Sequence, residues 1–459
     1  MKKICIFLYS IAGLVVSSCN DQLELRPYQS IDNELALTSD ANIKKVLSGA
    51  YDELSSYQLY GGNIMLLSEM LSANREIRWQ GTYNQPDEVY SKTIFVNNTY
   101  TTGIWTQAYK VINSCNNILS AIDVVDEGDR DRVQGEALFL RGALYFELVK
   151  FYGLPYAAGS TTTNLGVPIV LTPTTEITEE HNLTRATVEA VYQQALADLT
   201  AAEGLLPTSN GFYATRIAAS AMLSRVYLQM EDFANARDAA NRAIQVAEEE
   251  GMQLVGNYAN AFNNTENTSE DIFAMQVSAQ DGDNYMHMFY SVPDYGGRDG
   301  DIVVLPAHLA LYEAGDARRG LFYLYGDESR VGKWRDQYRN VKVIRLAELY
   351  LTRAEANFRL GTAVGDTPLG DLTRIRSRVN LETEAGDVTL AFILRERKLE
   401  LAHEGHTIHD VKRTRGSILD SPAGSTTVFE FDSPRMVFPI PQREMDANEN
   451  LVQNPGYGQ

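Results

Sequence analysis

The chain is poor in cysteine. Across 459 residues it has Cys5, Cys19 and Cys115 and no others. No CxxC spacing is present, which removes the common zinc-finger and dithiol chemistries. Long apolar runs are also missing: beyond the first nineteen residues no stretch approaches the roughly eighteen apolar residues that a membrane-spanning helix needs. Positive charge is scarce, with 40 Lys and Arg against 60 Asp and Glu, a net −20. Such a surface repels phosphate backbones, and no basic helix or basic–aromatic module offsets it, so nucleic-acid binding is excluded. No nucleophile elbow and no phosphate loop occur. What remains is 44% hydrophobic and 22% charged residues, a balance that folds rather than stays disordered. The length allows more than one ordinary core or one large helical repeat body.

The N-terminus is the most readable segment. Lys2 and Lys3 form a positive region, and residues 4–16 form an apolar stretch too short to span a bilayer. Val16-Ser17-Ser18-Cys19 follows and resembles the bacterial lipobox, in which the cysteine is acylated and becomes the first mature residue. The expectation is a signal peptide over 1–18, lipid on Cys19, and a polar tether over 19–40. Each buried methylene of such a lipid contributes about 0.8 kcal/mol, so several acyl chains hold a soluble body at a membrane. Cys5 then leaves with the signal, and Cys115 has no partner for an intrachain disulfide.

From about residue 41 helical patterning dominates. Over 214–250, Leu223, Ser224, Tyr227, Phe233, Ala236, Ala240 and Ala243 fall on the spacing of a tetratricopeptide repeat, two helices crossing on small residues. One such unit cannot bury its own face, so others should stack on it. Candidates are 347–361 with 368–379, 136–152 with 187–203, and 43–57 with 104–122. The fold expected is mainly α, with four irregular tetratricopeptide-like helix pairs and long loop-rich insertions near 61–103, 253–340 and 381–459. Long loops of this kind are usually functional.

Several blocks resemble the SusD/RagB family of outer-membrane nutrient-binding lipoproteins. Residues 135–146, running on to Tyr152-Gly153-Leu154-Pro155-Tyr156, are similar to its long central helix and exit. Residues 344–351 with Ala354-Glu355-Ala356, then Arg374-Ile375-Arg376-Ser377-Arg378, match two further blocks. Residues 393–401 with Glu404-Gly405 match another, and Phe438-Pro439-Ile440-Pro441, Glu444 and residues 451–457 match the closing signature. Thr373, Val379-Asn380, Thr407 and Ile408 depart from the pattern, all within structural blocks. The resemblance implies an N-terminal SusD-like helical region over 41–250 and a C-terminal RagB/SusD region over 251–459 with ligand-facing loops. It also implies surface capture of a glycan or oligosaccharide, outward-facing attachment to the outer membrane, and delivery to a SusC-like TonB-dependent transporter. It implies no enzyme activity and no cofactor, and it carries no ligand-site residue by motif.

Site residues must therefore come from chemistry. Sugar rings present apolar faces, and Trp and Tyr offer stiff platforms with a polar handle. Trp79 sits among Arg75, Arg78, Gln80 and Tyr83, and Tyr285, Tyr290, Tyr295 and Trp334 lie in the second long segment. The expected ligand-binding set is Arg78, Trp79, Tyr83, Tyr285, Tyr290, Tyr295 and Trp334, with Trp105 in the core. His403, His406 and His409 miss the His-Glu-x-x-His spacing by one residue, so no metal is expected there. Asp281-Gly282-Asp283-Asn284 and Asp299-Gly300-Asp301 lack the downstream Glu of an EF-hand and read as turns. The eight basic residues between Arg318 and Arg345 read as surface ion pairs, or else as a patch for an acidic sugar or a transporter loop. Two other functions fit the composition, a secreted helical glycoside hydrolase and a pure tetratricopeptide-type interaction scaffold.

Overall fold

The computed structural model describes residues 37–174, 178–420 and 425–458. Cys19, the signal segment and most of the expected tether lie outside the described residues.

Helices start where a side chain can cap them. Ser39 accepts from the Asn42 backbone N–H and opens α1 (Asp40–Ser55). Two short helices follow, α2 (Asn63–Leu71) and α3 (Asn84–Tyr90), before Asn98 caps α4 (Thr99–Ser120). The central element is α5 (Glu127–Tyr152), buried on every side from Gly135 to its end. Thr187 caps α6 (Val188–Leu205), Thr215 caps α7 (Arg216–Gln229), and Asp232 caps α8 (Phe233–Glu249).

The expected pairs are all in contact: α1 with α4, α5 with α6, and α7 with α8. The fourth is α11 (Leu346–Leu360) with α12 (Pro368–Ser377), and α8 packs on α11 to join it to the rest. Between α8 and α11 come the short α9 (Tyr285–Tyr290) and α10 (Pro306–Leu309). Small residues set the crossings. Ser224, Ala236, Ala240 and Ala243 are buried where α7 meets α8. At Gly142 a Cβ would lie 3.0 Å from both Asp198 Cβ and Leu199 Cγ, so glycine is what lets α6 come that close to α5. Beside it Arg141 binds Asp198 through two nitrogens (2.8 and 2.7 Å) and Asn116 at 2.8 Å, tying α4, α5 and α6 together.

The segments expected to be irregular carry more order than their sequence pattern shows. Residues 61–103 hold α2, α3 and β1 (Ile77–Trp79). Residues 253–340 hold β2 (Asp271–Met275), β3 (Ile302–Val304), β4 (Phe322–Tyr325) and β5 (Glu328–Val331). Strands β1, β3, β5 and β4 form an antiparallel sheet in that order, and β2 pairs with β6 (Val341–Arg345). The last segment carries α13 (Leu390–Glu400), α14 (Thr407–Arg413), a β7–β8 hairpin (Ser417–Leu419 with Val428–Glu430) and α15 (Gln442–Ala447). These strands are three to five residues long, too short for an alternation to stand out in sequence.

Most of the basic run 318–345 is not a surface feature; only Arg319, Arg335 and Arg339 stay at or near the surface. Arg318, Arg330, Lys333, Lys342 and Arg345 are buried. Arg345 meets Glu270 at 2.7 Å, Glu400 at 3.1 Å and Glu404 at 2.8 Å, while Lys333 meets Glu404 at 2.6 Å. Arg318 meets Asp316 at 2.7 Å and Glu396 at 2.9 Å. Burial alone would raise the Glu404 carboxyl, but Arg345 and Lys333 outweigh it and hold it at about 2. Apart from Asp316, the carboxylates that answer Arg318, Lys333 and Arg345, namely Glu270, Glu396, Glu400 and Glu404, are distant in sequence, which is why the run looks largely unopposed when read linearly.

Candidate functional site

Two neighbouring hollows form where the 278–298 loops meet the end of α1 and the 335–339 turn. The first, about 360 Å³, is lined by Asp283, Asn284, Tyr285, His287, Met288, Arg298 and Tyr338, among others. The second, about 420 Å³, is lined by Asp52, Glu53, Ser55, Ser56, Ser278, Asp281 and again Asp283 and Tyr338. Both volumes fall in the range of small-ligand sites.

An aromatic cluster borders the first hollow, with Tyr285 in its wall. The rings of Tyr57 and Tyr285 stack with centroids 4.4 Å apart and planes 14° from parallel. Phe289 lies beneath, edge-on to Tyr285 at 5.9 Å and to Tyr83 at 5.9 Å. The Arg298 guanidinium covers the Tyr83 ring at 4.3 Å. Partial burial raises the Tyr285 phenol, with Tyr57, Asp283 and Tyr83 adding to it, so the hydroxyl keeps its proton and can both donate and accept.

Local backbone fixes these rings. Asp283 accepts from the Tyr57 N–H at 2.8 Å, and the Tyr285 N–H donates to Gly61 O at 2.8 Å. A Cβ on Gly62 would lie 2.3 Å from the Tyr285 Cβ, so only glycine permits this approach. Asn284 caps α9 through the His287 N–H (2.9 Å) and donates to Arg339 O at 3.1 Å. Tyr338 adopts φ +54°, a left-handed conformation uncommon for a bulky residue, and is 43% exposed. Arg339 braces that turn by donating to the carbonyls of Gln337 and Tyr338 at 3.1 and 3.0 Å. Gly282 at φ +83° completes the turn read from Asp281-Gly282-Asp283-Asn284. Arg298 is held by Asp301 at 2.8 Å and Thr82 at 2.8 Å, and the Asp301 bond raises its pKa further. Desolvation lowers His287, which stays neutral and bonds Tyr295 O at 3.0 Å.

Of the seven residues expected to bind ligand, Tyr83 and Tyr285 are brought together here. The others are not. Trp79 is 7% exposed: β1 alternates inward and outward, and the residue whose neighbours looked polar is the one facing in. Its ring lies 5.7 Å from Phe289 and forms part of the floor under the cluster. Arg78 faces outward on the same strand, away from the cluster, and is paired with Glu328. Trp334 is buried, with its Nε1–H donating to His403 O at 2.8 Å. Tyr290 is fully buried, its hydroxyl 3.3 Å from His403 Nδ1. Burial removes Trp79, Trp334 and Tyr290 from any surface that could stack on a ligand. Tyr295 is exposed but belongs to an adjacent group with Tyr323 and Arg335. Tyr57, Arg298 and Tyr338 were missed. Tyr57 reads as the tail of an amphipathic helix, and the one available signal was its position directly after Ser55-Ser56, where α1 ends.

The three histidines are structural. His403 touches Tyr290, His409 Nε2 lies 3.3 Å from Ser68 Oγ, and His406 lies 3.9 Å from Glu348. Among the described residues no group of three or more His, Cys, Asp or Glu has a metal-holding arrangement. No helix among them is long and apolar enough to cross a membrane. Cys115 is buried and free, and Trp105 is buried in the core.

Comparisons with known proteins agree across the chain. Residues 21–228 match a family model described as "Starch-binding associating with outer membrane", and residues 325–457 match the SusD family model. A SusD-like protein of Formosa agariphila is 25% identical with both chains fully covered. The starch-binding protein SusD of Bacteroides thetaiotaomicron is 34% identical over 26% of this chain and 22% of its own. Among solved structures, a putative sugar-binding protein of Bacteroides vulgatus superposes with TM-score 0.83 at 27% identity, covering 92% of this chain and 99% of that one. A SusD superfamily protein of Bacteroides thetaiotaomicron gives TM-score 0.81 at 27% identity, with 91% and 100% covered.

Proposed function

The chain belongs to the SusD/RagB family, and from that membership we propose that it is a glycan-binding protein of the outer membrane rather than an enzyme. It captures an oligosaccharide at the cell exterior and hands it to a TonB-dependent transporter. Lipid on Cys19 anchors it, and the body over 41–459 stands outside the bilayer. The observation that carries this reading is the aromatic cluster of Tyr57, Tyr83 and Tyr285 over Phe289, of which Tyr285 lines a cleft of ligand size. Stacked rings with phenolic handles bind the apolar faces and the hydroxyls of sugars together. The names of its relatives, starch-binding and sugar-binding, support the ligand class.

Calorimetric titration of the purified protein against a panel of neutral and charged oligosaccharides tests the reading. Saturable binding that is weakened in Tyr57→Ala and Tyr285→Ala, without release of new reducing ends, is the expected result. Catalytic release of reducing ends would instead make the protein a hydrolase. For the anchor, Cys19→Ala should free the folded protein from the membrane fraction, and retention after a high-salt wash would refute lipid attachment.

A further inference from the structure

The two hollows share Gly282, Asp283 and Tyr338, so they form one trough, and Tyr285 of the aromatic cluster lines its first part. The charge of the second is one-sided. Asp52, Glu53, Asp281 and Asp283 line the second hollow, and no Lys or Arg lines it. From the lining and its surroundings we infer that the trough selects uncharged glycans and turns away those bearing carboxylate or sulfate groups. This inference rests on the reading of the trough as a glycan site and names the ligand class for it.

The cations nearby offset only part of this charge, leaving Asp52, Asp281 and Asp283. Lys110 pairs with Glu53, which also accepts from Gln107. Arg298 lines the first hollow but is matched by Asp301. Arg335 is matched by Asp336 at 2.8 Å, and Arg339 points its donors at the carbonyls of Gln337 and Tyr338. His287 is neutral. Asp281 accepts from the Gly282 N–H and Asp283 from the Tyr57 N–H, so both bond backbone rather than a cation. The Asp52 carboxyl is raised, first by burial and then by Asp281 and Glu53, with Lys110 opposing, as expected in a locally negative field.

The chemistry cuts two ways. Carboxylates accept hydrogen bonds from sugar hydroxyls, and each such bond is charge-assisted. A uronate or sulfate ester has no proton to give and places its own charge among Asp52, Asp281 and Asp283. The net −20 of the whole chain adds long-range repulsion of polyanions before contact.

Matched tetrasaccharide pairs that differ at C6, hydroxymethyl against carboxylate, isolate this effect: galactan with galacturonan, mannan with mannuronan, glucan with glucuronan. Each pair is titrated at neutral pH in low salt and again in about 0.5 M salt. For whichever backbone binds, the neutral member should bind at least about tenfold tighter at low salt, and salt should narrow the gap. The double variant Asp52→Asn, Asp281→Asn should narrow it too, with the melting temperature unchanged because both residues are exposed. A uronate that binds as tightly as its neutral counterpart, or tighter, overturns the charge selection while leaving glycan binding intact. A panel in which no member binds overturns both.

Discussion

The six residues of α9 join two aromatic environments with opposite jobs. At its start Tyr285 stacks on Tyr57 and lines the trough. At its end Tyr290 is sealed in the core with His403, whose ring lies 4.8 Å from that of His308 and whose carbonyl accepts from Trp334. Both groups use the same residue types. What separates them is whether polar partners come from the protein or are left to solvent. The buried group spends its hydroxyl and indole N–H internally, while the exposed group holds its rings by backbone bonds and keeps its hydroxyls at the surface. Aromatic identity therefore says little about ligand contact, and the hydrogen-bond partner says much.

The comparison is broken most forcefully from the buried side. Trp334→Ala removes a buried indole and leaves His403 O without its donor, so unfolding stability should fall by about 3–5 kcal/mol. Glycan affinity of the protein that remains folded should not change. Denaturant melts beside titration check this, and a loss of affinity at full stability would move Trp334 into the site.

The next effect is a pH dependence. Glu69 is buried beside His403 and accepts from the Gly405 N–H at 2.7 Å. Burial raises its carboxyl to about 7, against the weaker pull of that N–H. The unfolded carboxyl ionises near about 4.3. Between these values the native state holds a proton that the unfolded state has released, so stability is full below the lower one and falls as pH rises toward 7. Glu69→Gln keeps a carbonyl for Gly405 and should flatten this slope, raising stability at pH 7 by up to about 3 kcal/mol. Urea unfolding at pH 5 and above pH 7 measures it, and an unchanged slope would contradict it.

On the exposed side effects shrink and change kind. Tyr285→Ala removes one stacked ring, lowering affinity by about 1 kcal/mol while the melting temperature moves little, since the residue is half-buried and its backbone bond to Gly61 survives. Smallest of all is Arg78→Ala. Its pairing with Glu328 is exposed and worth at most about 1 kcal/mol, and neither stability nor binding should shift measurably.

The helical body was legible because long periodic elements announce themselves: the spacing over 214–250 and the block at 344–361 fall on α7, α8 and α11 within a residue or two. The buried charges were legible as charges but not as buried, since Arg345 meets acids 75 and 55 residues away in sequence. The site was half legible. Tyr83 and Tyr285 could be named from composition, but Trp79 looked exposed because a three-residue strand gives no alternation to read. Tyr338 depends on a positive φ and Tyr57 on a loop 226 residues distant, and neither leaves a local mark.

The Gly61-Gly62 step has a consequence for how this protein can be varied. It sets where Tyr285 sits through backbone and van der Waals contact alone, with no side chain of its own. Scaffold and ligand surface are thereby encoded at separate positions. A library that randomises 57, 83 and 338 while holding 61 and 62 fixed can explore new ligand shapes with little loss of folded yield, whereas one that opens position 62 collapses the platform before selection begins.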